Sequence, residues 1–186
     1  FNHYEGIQPE ELLSNAISTE RNISADELAD LLINQDPSYL VIDLRDKESF
    51  DTYHIPAAIH VPVDSLLTEY GLGYLDQDQY DLIFVSNDNF IAEQAWLVCT
   101  RAKYHNLHVL EGGMNAWYNT IINPPKPTED MPAEAFDTYA FRKAASMHFG
   151  VAYKEEVKVV KPVIKVVPKK VVPVKKKKKM PLEGGC

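Results

Sequence analysis

Few side chains in this 186-residue chain could act on a substrate, and each has a plain reading beside the chemical one. The two cysteines, Cys99 and Cys186, are too few for a disulfide framework, a four-cysteine zinc site or an iron–sulfur cage. Cys99 shares a helical face with Ala92, Ala95 and Trp96, the setting of a buried core thiol. Cys186 ends the chain after Gly184-Gly185. It follows Lys175, Lys176, Lys177, Lys178 and Lys179, cations that favour a thiolate, so it reads as a reactive or sulfur-carrying thiol or an attachment point. Ser86 opens the polar turn Ser86-Asn87-Asp88-Asn89. A serine nucleophile needs an adjacent base, no histidine lies within several residues, and Phe84-Val85-Ser86-Asn87-Asp88 does not match the Gly-x-Ser-x-Gly elbow. His54 and His60 lack clustered Cys, Asp or Glu partners, so neither a metal nor a cofactor is expected. Tyr53, Tyr70, Tyr74 and Phe90 could rim a pocket but read first as packing.

Charge divides the chain. Residues 1–153 hold 8 Lys and Arg against 24 Asp and Glu, a net −16, whereas residues 154–186 hold 11 Lys against 3 Glu, a net +8. An acidic body repels nucleic acid, so any binding to polyanions must come from the tail. Each lysine near an anionic membrane contributes about 1 kcal/mol, which makes Lys175–Lys179 a candidate anchor to such a surface. The same run would also tether nucleic acid without sequence preference, the less favoured reading. No apolar run approaches the ~20 residues of a membrane-spanning helix. Phe1 is not a methionine, and the polar residues after it fit a cut made beyond an N-terminal anchor. The expectation leans to an anchored, envelope-facing domain, with the cytoplasm as the alternative.

The elements that would position these residues alternate between strand and helix. Residues 1–21 form an extension in which Pro9-Glu10-Glu11-Leu12-Leu13 could start a short helix. Ser24-Ala25-Asp26-Glu27 has the capping-box form, and Ala25, Leu28, Ala29, Leu31 and Leu32 follow at helical spacing. Asp36-Pro37 ends that helix. Tyr39–Ile42, Ala58–Val61, Asp81–Val85 and His108–Leu110 read as short buried strands. Asp64 is a plausible cap for a small helix through Leu67, and a strong helix runs from about Ile91 to Tyr104. Gly112-Gly113 precede a helix carrying Ala116 and Trp117. A breaker-rich linker covers residues 123–132, and residues 133–150 form a further helix that packs on the domain or a partner. Beyond it, residues 151–186 repeat Val, Lys and Pro and predict an extended arm reaching roughly 30–100 Å. This alternation implies an α/β fold with an open, mostly parallel sheet covered on both faces, its strand-to-helix turns along one edge. The turn at Ser86–Asn89 is on that edge.

Four segments, in order and spanning roughly residues 22–120, resemble the rhodanese homology domain, the fold of thiosulfate and mercaptopyruvate sulfurtransferases. Asn22–Asn34 resembles its opening helix, and Leu40-Val41-Ile42-Asp43-Leu44-Arg45 its strand followed by Asp-x-Arg. Tyr53-His54-Ile55-Pro56-Ala57-Ala58-Ile59-His60-Val61-Pro62 resembles the "GHIPGAIHIP" segment, with Tyr53 and Ala57 where glycines are usual. Val109-Leu110-Glu111-Gly112-Gly113-Met114-Asn115-Ala116-Trp117 resembles "LEGG…AW". The resemblance implies a rhodanese-like domain over 22–122; Asp43 and Arg45 are expected to pair with each other or with loop backbone as scaffold, and Glu111 is likewise read as scaffold.

It also implies what is lost. The family places its catalytic cysteine after the fourth strand, in a Cys-x-x-Gly-x-Arg-Ser loop. Here the stretch reads Ser86-Asn87-Asp88-Asn89-Phe90-Ile91-Ala92, so Ser86 stands for the cysteine, Asn89 for the glycine and Ile91 for the arginine. A thiolate takes up sulfane sulfur because it is a polarisable anion at accessible pH; a serine hydroxyl is scarcely ionised. Asp88 adds negative charge where an anionic sulfur donor would sit. The phosphatases of this fold need the same cysteine and arginine. The expected function is therefore a non-catalytic binding or scaffold module for an unidentified protein partner, in the setting of sulfur handling. Its rivals are a sulfurtransferase or sulfur carrier working through Cys186, and a nucleic-acid tether.

Overall fold

The structure, a computed structural model, describes residues 6–153; Lys175–Lys179 and Cys186 lie outside the described residues. Local sequence decides the first elements. Helix α1 (Pro9–Ile17) opens on a proline in its first turn, where the missing N–H costs nothing. Helix α2 (Ala25–Ile33) is capped as its sequence demands. Ser24 accepts from the Glu27 amide at 3.2 Å, and Glu27 Oε2 accepts from the Ser24 amide at 2.8 Å. Those bonds from the Ser24 amide and hydroxyl hold the Glu27 carboxyl below its ordinary range.

The apolar runs become strands β2 (Tyr39–Asp43), β4 (Asp81–Val85) and β5 (Leu107–Leu110), joined by two-residue strands β1 (Asn22–Ile23) and β3 (Ile59–His60). They form one sheet in the order β1-β5-β4-β2-β3, and every pairing is parallel. Alternate residues feed opposite faces. Val41, Ile83 and Val85 enter a core with Leu28, Leu110 and Trp117, whereas Ile42, Leu82 and Phe84 enter a second with Ala95, Trp96 and Cys99. Burial on both faces is why these strands read as continuous apolar runs.

Helices α3 (Lys47–Thr52), α4 (Glu69–Leu75), α5 (Phe90–Arg101), α6 (Gly113–Trp117) and α7 (Ala133–His148) complete the described elements, with α6 passing directly into a π-helical turn at Tyr118–Ile122. Helix α7 packs back on the domain: Arg142 Nη2 lies 2.6 Å from Asp26 Oδ2, and Ser146 Oγ donates to the Ile122 carbonyl at 2.9 Å. Asp64 is not a cap. It sits inside a single 3-10 turn, Val63–Ser65, entered from Pro62, because proline's fixed backbone starts the turn one residue earlier. The strong helix ends at Arg101 rather than Tyr104, where Lys103 adopts φ of 71°.

Ala57 also has a positive φ, 63°. This left-handed backbone explains why the resembling segment usually carries glycine there, since an L side chain pays a steric cost in it. Ala57→Gly is expected to raise unfolding free energy by about 0.5–1 kcal/mol, the relief of strain exceeding the added unfolded-state entropy. Urea unfolding of the two proteins checks this; a less stable glycine variant would refute it.

Candidate functional site

Parallel pairing brings the ends of β2, β4 and β5 to one edge, and the turns that follow them meet there. Asp43 ends β2 and is fully buried. Arg45 closes back on it: Nε donates to Oδ1 at 2.9 Å and Nη2 to Oδ2 at 2.7 Å, and Nη2 also donates to the Tyr53 carbonyl at 2.7 Å. The fork geometry is that of a strong guanidinium–carboxylate pair, which ties the β2 turn to the segment after α3.

Ser86 directly follows β4 and is 2% exposed. Its hydroxyl donates to the Asp88 carbonyl and accepts from the Ala92 amide at 3.2 Å, so both capacities are satisfied within the loop. The Asp88 side chain caps the next turn, with Oδ1 accepting from the Phe90 amide at 2.8 Å. Asn89 Oδ1 accepts from the Gly112 amide, linking the β4 turn to the β5 turn. The same two turns are joined through main chain: Met114 N donates to the Ser86 carbonyl at 2.8 Å, and Asn115 N to the Asn87 carbonyl at 3.0 Å. The Phe90 and Ala92 amides are thus taken up within the loop, and the β5 turn fills the Ser86 and Asn87 carbonyls and the Asn89 side chain.

A crevice of about 390 Å³ lies beside this loop, bounded by Arg45 and Asp46 after β2 and by Ser86, Asn87, Asp88, Phe90 and Ile91 after β4. Its charge is anionic in character. Arg45 is neutralised by Asp43, the Ser49 amide and hydroxyl hold the Asp46 carboxyl below the ordinary range, and Asp88 faces solvent. Ile91, where a cation would be needed to bind an anion, is aliphatic and half-buried.

The other candidates fall elsewhere. Glu111 is exposed, and its structural contribution is through the main chain, the amide donating to the Ile23 carbonyl at 2.9 Å and so closing β1 on β5. His54 Nδ1 lies 2.9 Å from the Phe50 carbonyl and His60 Nε2 lies 2.9 Å from the Arg45 carbonyl, so each of those nitrogens holds a hydrogen. Both rings stack on Phe50. Tyr53 accepts from Trp117 Nε1 at 3.1 Å, and Tyr70 donates to the His60 carbonyl at 3.1 Å; only Phe90 of the four aromatics borders the crevice. Cys99 is fully buried, and burial pushes its thiol up to about 12, so it is neutral and shielded at physiological pH. Sequence reasoning missed the bridge from Asn89 to Gly112, which joins residues far apart in the chain.

The family model for the rhodanese-like domain matches residues 24–120. The chain belongs to that family. Among curated proteins, it is 25% identical over 119 residues to a probable molybdopterin-synthase adenylyltransferase of Porphyra purpurea, a match covering 60% of this chain and 29% of that protein. It is 26% identical over 114 residues to the thiosulfate:glutathione sulfurtransferase of Saccharomyces cerevisiae, covering 56% of this chain and 82% of the relative. Among solved structures, the rhodanese-like domain from Anabaena sp. is 21% identical with a TM-score of 0.48, covering 61% of this chain and 90% of that one. The chain thus spans under a third of the length of the adenylyltransferase it matches. The edge that holds the Ser86 turn lies within the matched segment, as do Asp43, Arg45 and Glu111.

Among the described residues, no helix is long and apolar enough to cross a membrane.

Proposed function

We propose that this rhodanese-like domain does not transfer sulfur at its β4 loop and acts as a binding or scaffold module, with the lysine-rich tail serving an anionic partner or membrane surface. The observation that carries the reading is the state of the Ser86 hydroxyl: buried, donating to Asp88 and accepting from Ala92. In sulfane transfer a thiolate attacks the outer sulfur of thiosulfate, the S–S bond breaks, and sulfite leaves with the electron pair. Cyanide then attacks the persulfide's outer sulfur, releasing thiocyanate and restoring the thiolate. The Ser86 proton is committed to the Asp88 carbonyl with no base beside it to take it, the hydroxyl is scarcely ionised, and Asp46 and Asp88 oppose the approach of an anionic donor. Kinship to a sulfurtransferase supports a setting in sulfur handling, the role left to this chain being recognition rather than chemistry.

The test is a thiosulfate–cyanide turnover assay on the full chain, with persulfide mapped by mass spectrometry after alkylation. No thiocyanate release above the uncatalysed rate is expected. Ser86→Cys alone is expected to leave it there, because the loop keeps Asp88 and lacks a cation at position 91. Turnover by the unmodified chain would overturn the reading, and a persulfide on Cys186 that disappears in Cys186→Ser would assign the activity to that thiol instead.

A further inference from the structure

A second hollow, of about 700 Å³, opens between α1 and α5 beside the Ser86 turn and adjoins the crevice, sharing Asp88 and Phe90 with it. That volume is within the roughly 300–1,000 Å³ range of sites that take a ligand or anchoring side chains. Its apolar lining is Ala16 from α1 and Phe90 and Leu97 from α5, with Trp96 at the base, and polar residues including Asp88, Glu93 and Gln94 complete the wall. The base is fixed from several directions. The Arg21 guanidinium lies 4.9 Å from the Trp96 ring centroid, its Nη1 is 3.0 Å from Glu93 Oε2, and its Nε donates to the Ala16 carbonyl at 3.2 Å. Trp96 Nε1 in turn donates to the Leu107 carbonyl at 3.0 Å. A groove built this way needs little ordering when it is filled.

Above that base the apolar side chains are open. Phe90 is 65% and Leu97 41% exposed. Apolar surface gathered around a preformed hollow marks a docking site rather than scattered exposure. Charge selects the occupant. Arg21, the cation of the lining, is neutralised by Glu93; Asp88 stands on the rim, and exposed Glu111 immediately precedes the lining residue Gly112. A second copy would bring this acidic face against its own like, within a body of net −16 over residues 1–153.

We propose that the α1–α5 groove docks a basic, apolar segment of a partner protein, whose apolar side chains cover Phe90, Trp96 and Leu97 while its Lys or Arg side chains sit over Asp88 and Glu111. The proposal names a surface for the binding role and does not require the Ser86 loop to be silent.

Fluorescence anisotropy of the full chain with a short fluorescein-labelled peptide of leucine and lysine at helical spacing tests it. A counterpart carrying glutamate for every lysine serves as the control. The lysine peptide is expected to bind and the glutamate peptide not to. Leu97→Asp should weaken binding at least about tenfold, the loss typical of a central contact. Leu67→Asp, a substitution at an exposed leucine outside the groove, should leave it unchanged. Circular dichroism reports whether Leu97→Asp folds, and Phe90→Ser is the second variant if it does not. Equal binding of both peptides, binding unaffected by either groove variant, or a dimer in light scattering that Leu97→Asp or Phe90→Ser abolishes would overturn the proposal. Thiocyanate release from the same samples reports on the Ser86 loop separately.

Discussion

Asp43→Ala is expected to lower the unfolding free energy by roughly 3–5 kcal/mol, the cost of removing one partner from a buried ion pair. Asp43 is fully buried and the Arg45 side chain only 8% exposed. Without the carboxylate, Arg45 keeps just the Tyr53 carbonyl, and its guanidinium is left charged in a poorly solvated place. A domain of this size is typically stable by about 5–15 kcal/mol, so the variant should unfold at markedly lower urea. Asp43→Ala combined with Arg45→Met should recover most of the loss, because an apolar side chain does not need the missing partner. A single variant within about 1 kcal/mol of the parent would mean that water screens the pair as it does at a surface.

Gly113→Ala is expected to cost about 3 kcal/mol or more, among the larger single-residue effects, since it combines backbone strain with overlap. Gly113 has φ of 55°, and a Cβ there would lie 2.4 Å from the Ser86 carbonyl oxygen, 2.7 Å from that of Asp88 and 2.9 Å from the Asn87 carbonyl carbon. These are main-chain atoms of the candidate loop, held by bonds from the Met114 and Asn115 amides. They cannot turn aside as a flexible side chain would. Hydrogen exchange should show both amides losing protection in the variant, together with a lower urea midpoint. A protein of parental stability and unchanged protection would refute this account of the glycine. The same contact shows why the second turn is part of the site: Gly113 lets the β5 turn pack flush against the Ser86 loop, and Asn89 bonds across the join.

The division between what could be read early and late follows the range of each interaction. The α2 capping box, the buried strands β2 and β4, and the breaker after residue 122 rest on neighbours within a few residues, so composition and spacing carry them. Helix α4 went unread because Gly71 and Gly73 weaken its propensity. Only in the fold does Gly71 have a reason, its missing Cβ leaving room for the Leu66 main chain. Strand β1 is two residues long and exists through pairing with β5, 87 positions away. The edge of the sheet where the site lies could be inferred from alternation alone, because parallel strands force their following turns together. Which groups meet there could be inferred only for Asp43 with Arg45; Asn89 with the Gly112 amide, Arg45 with the Tyr53 carbonyl, and Ala16 and Leu97 lining one hollow could not. The amino-acid order by itself determined the family, the longer strands and helices other than α4, and the acidic character of the body. Only the tertiary structure decided that the Ser86 hydroxyl is closed within its loop and that an apolar groove stands open beside it. Hydrogen-bond satisfaction and cavity shape are properties of distant segments brought into contact, and no window of sequence contains them.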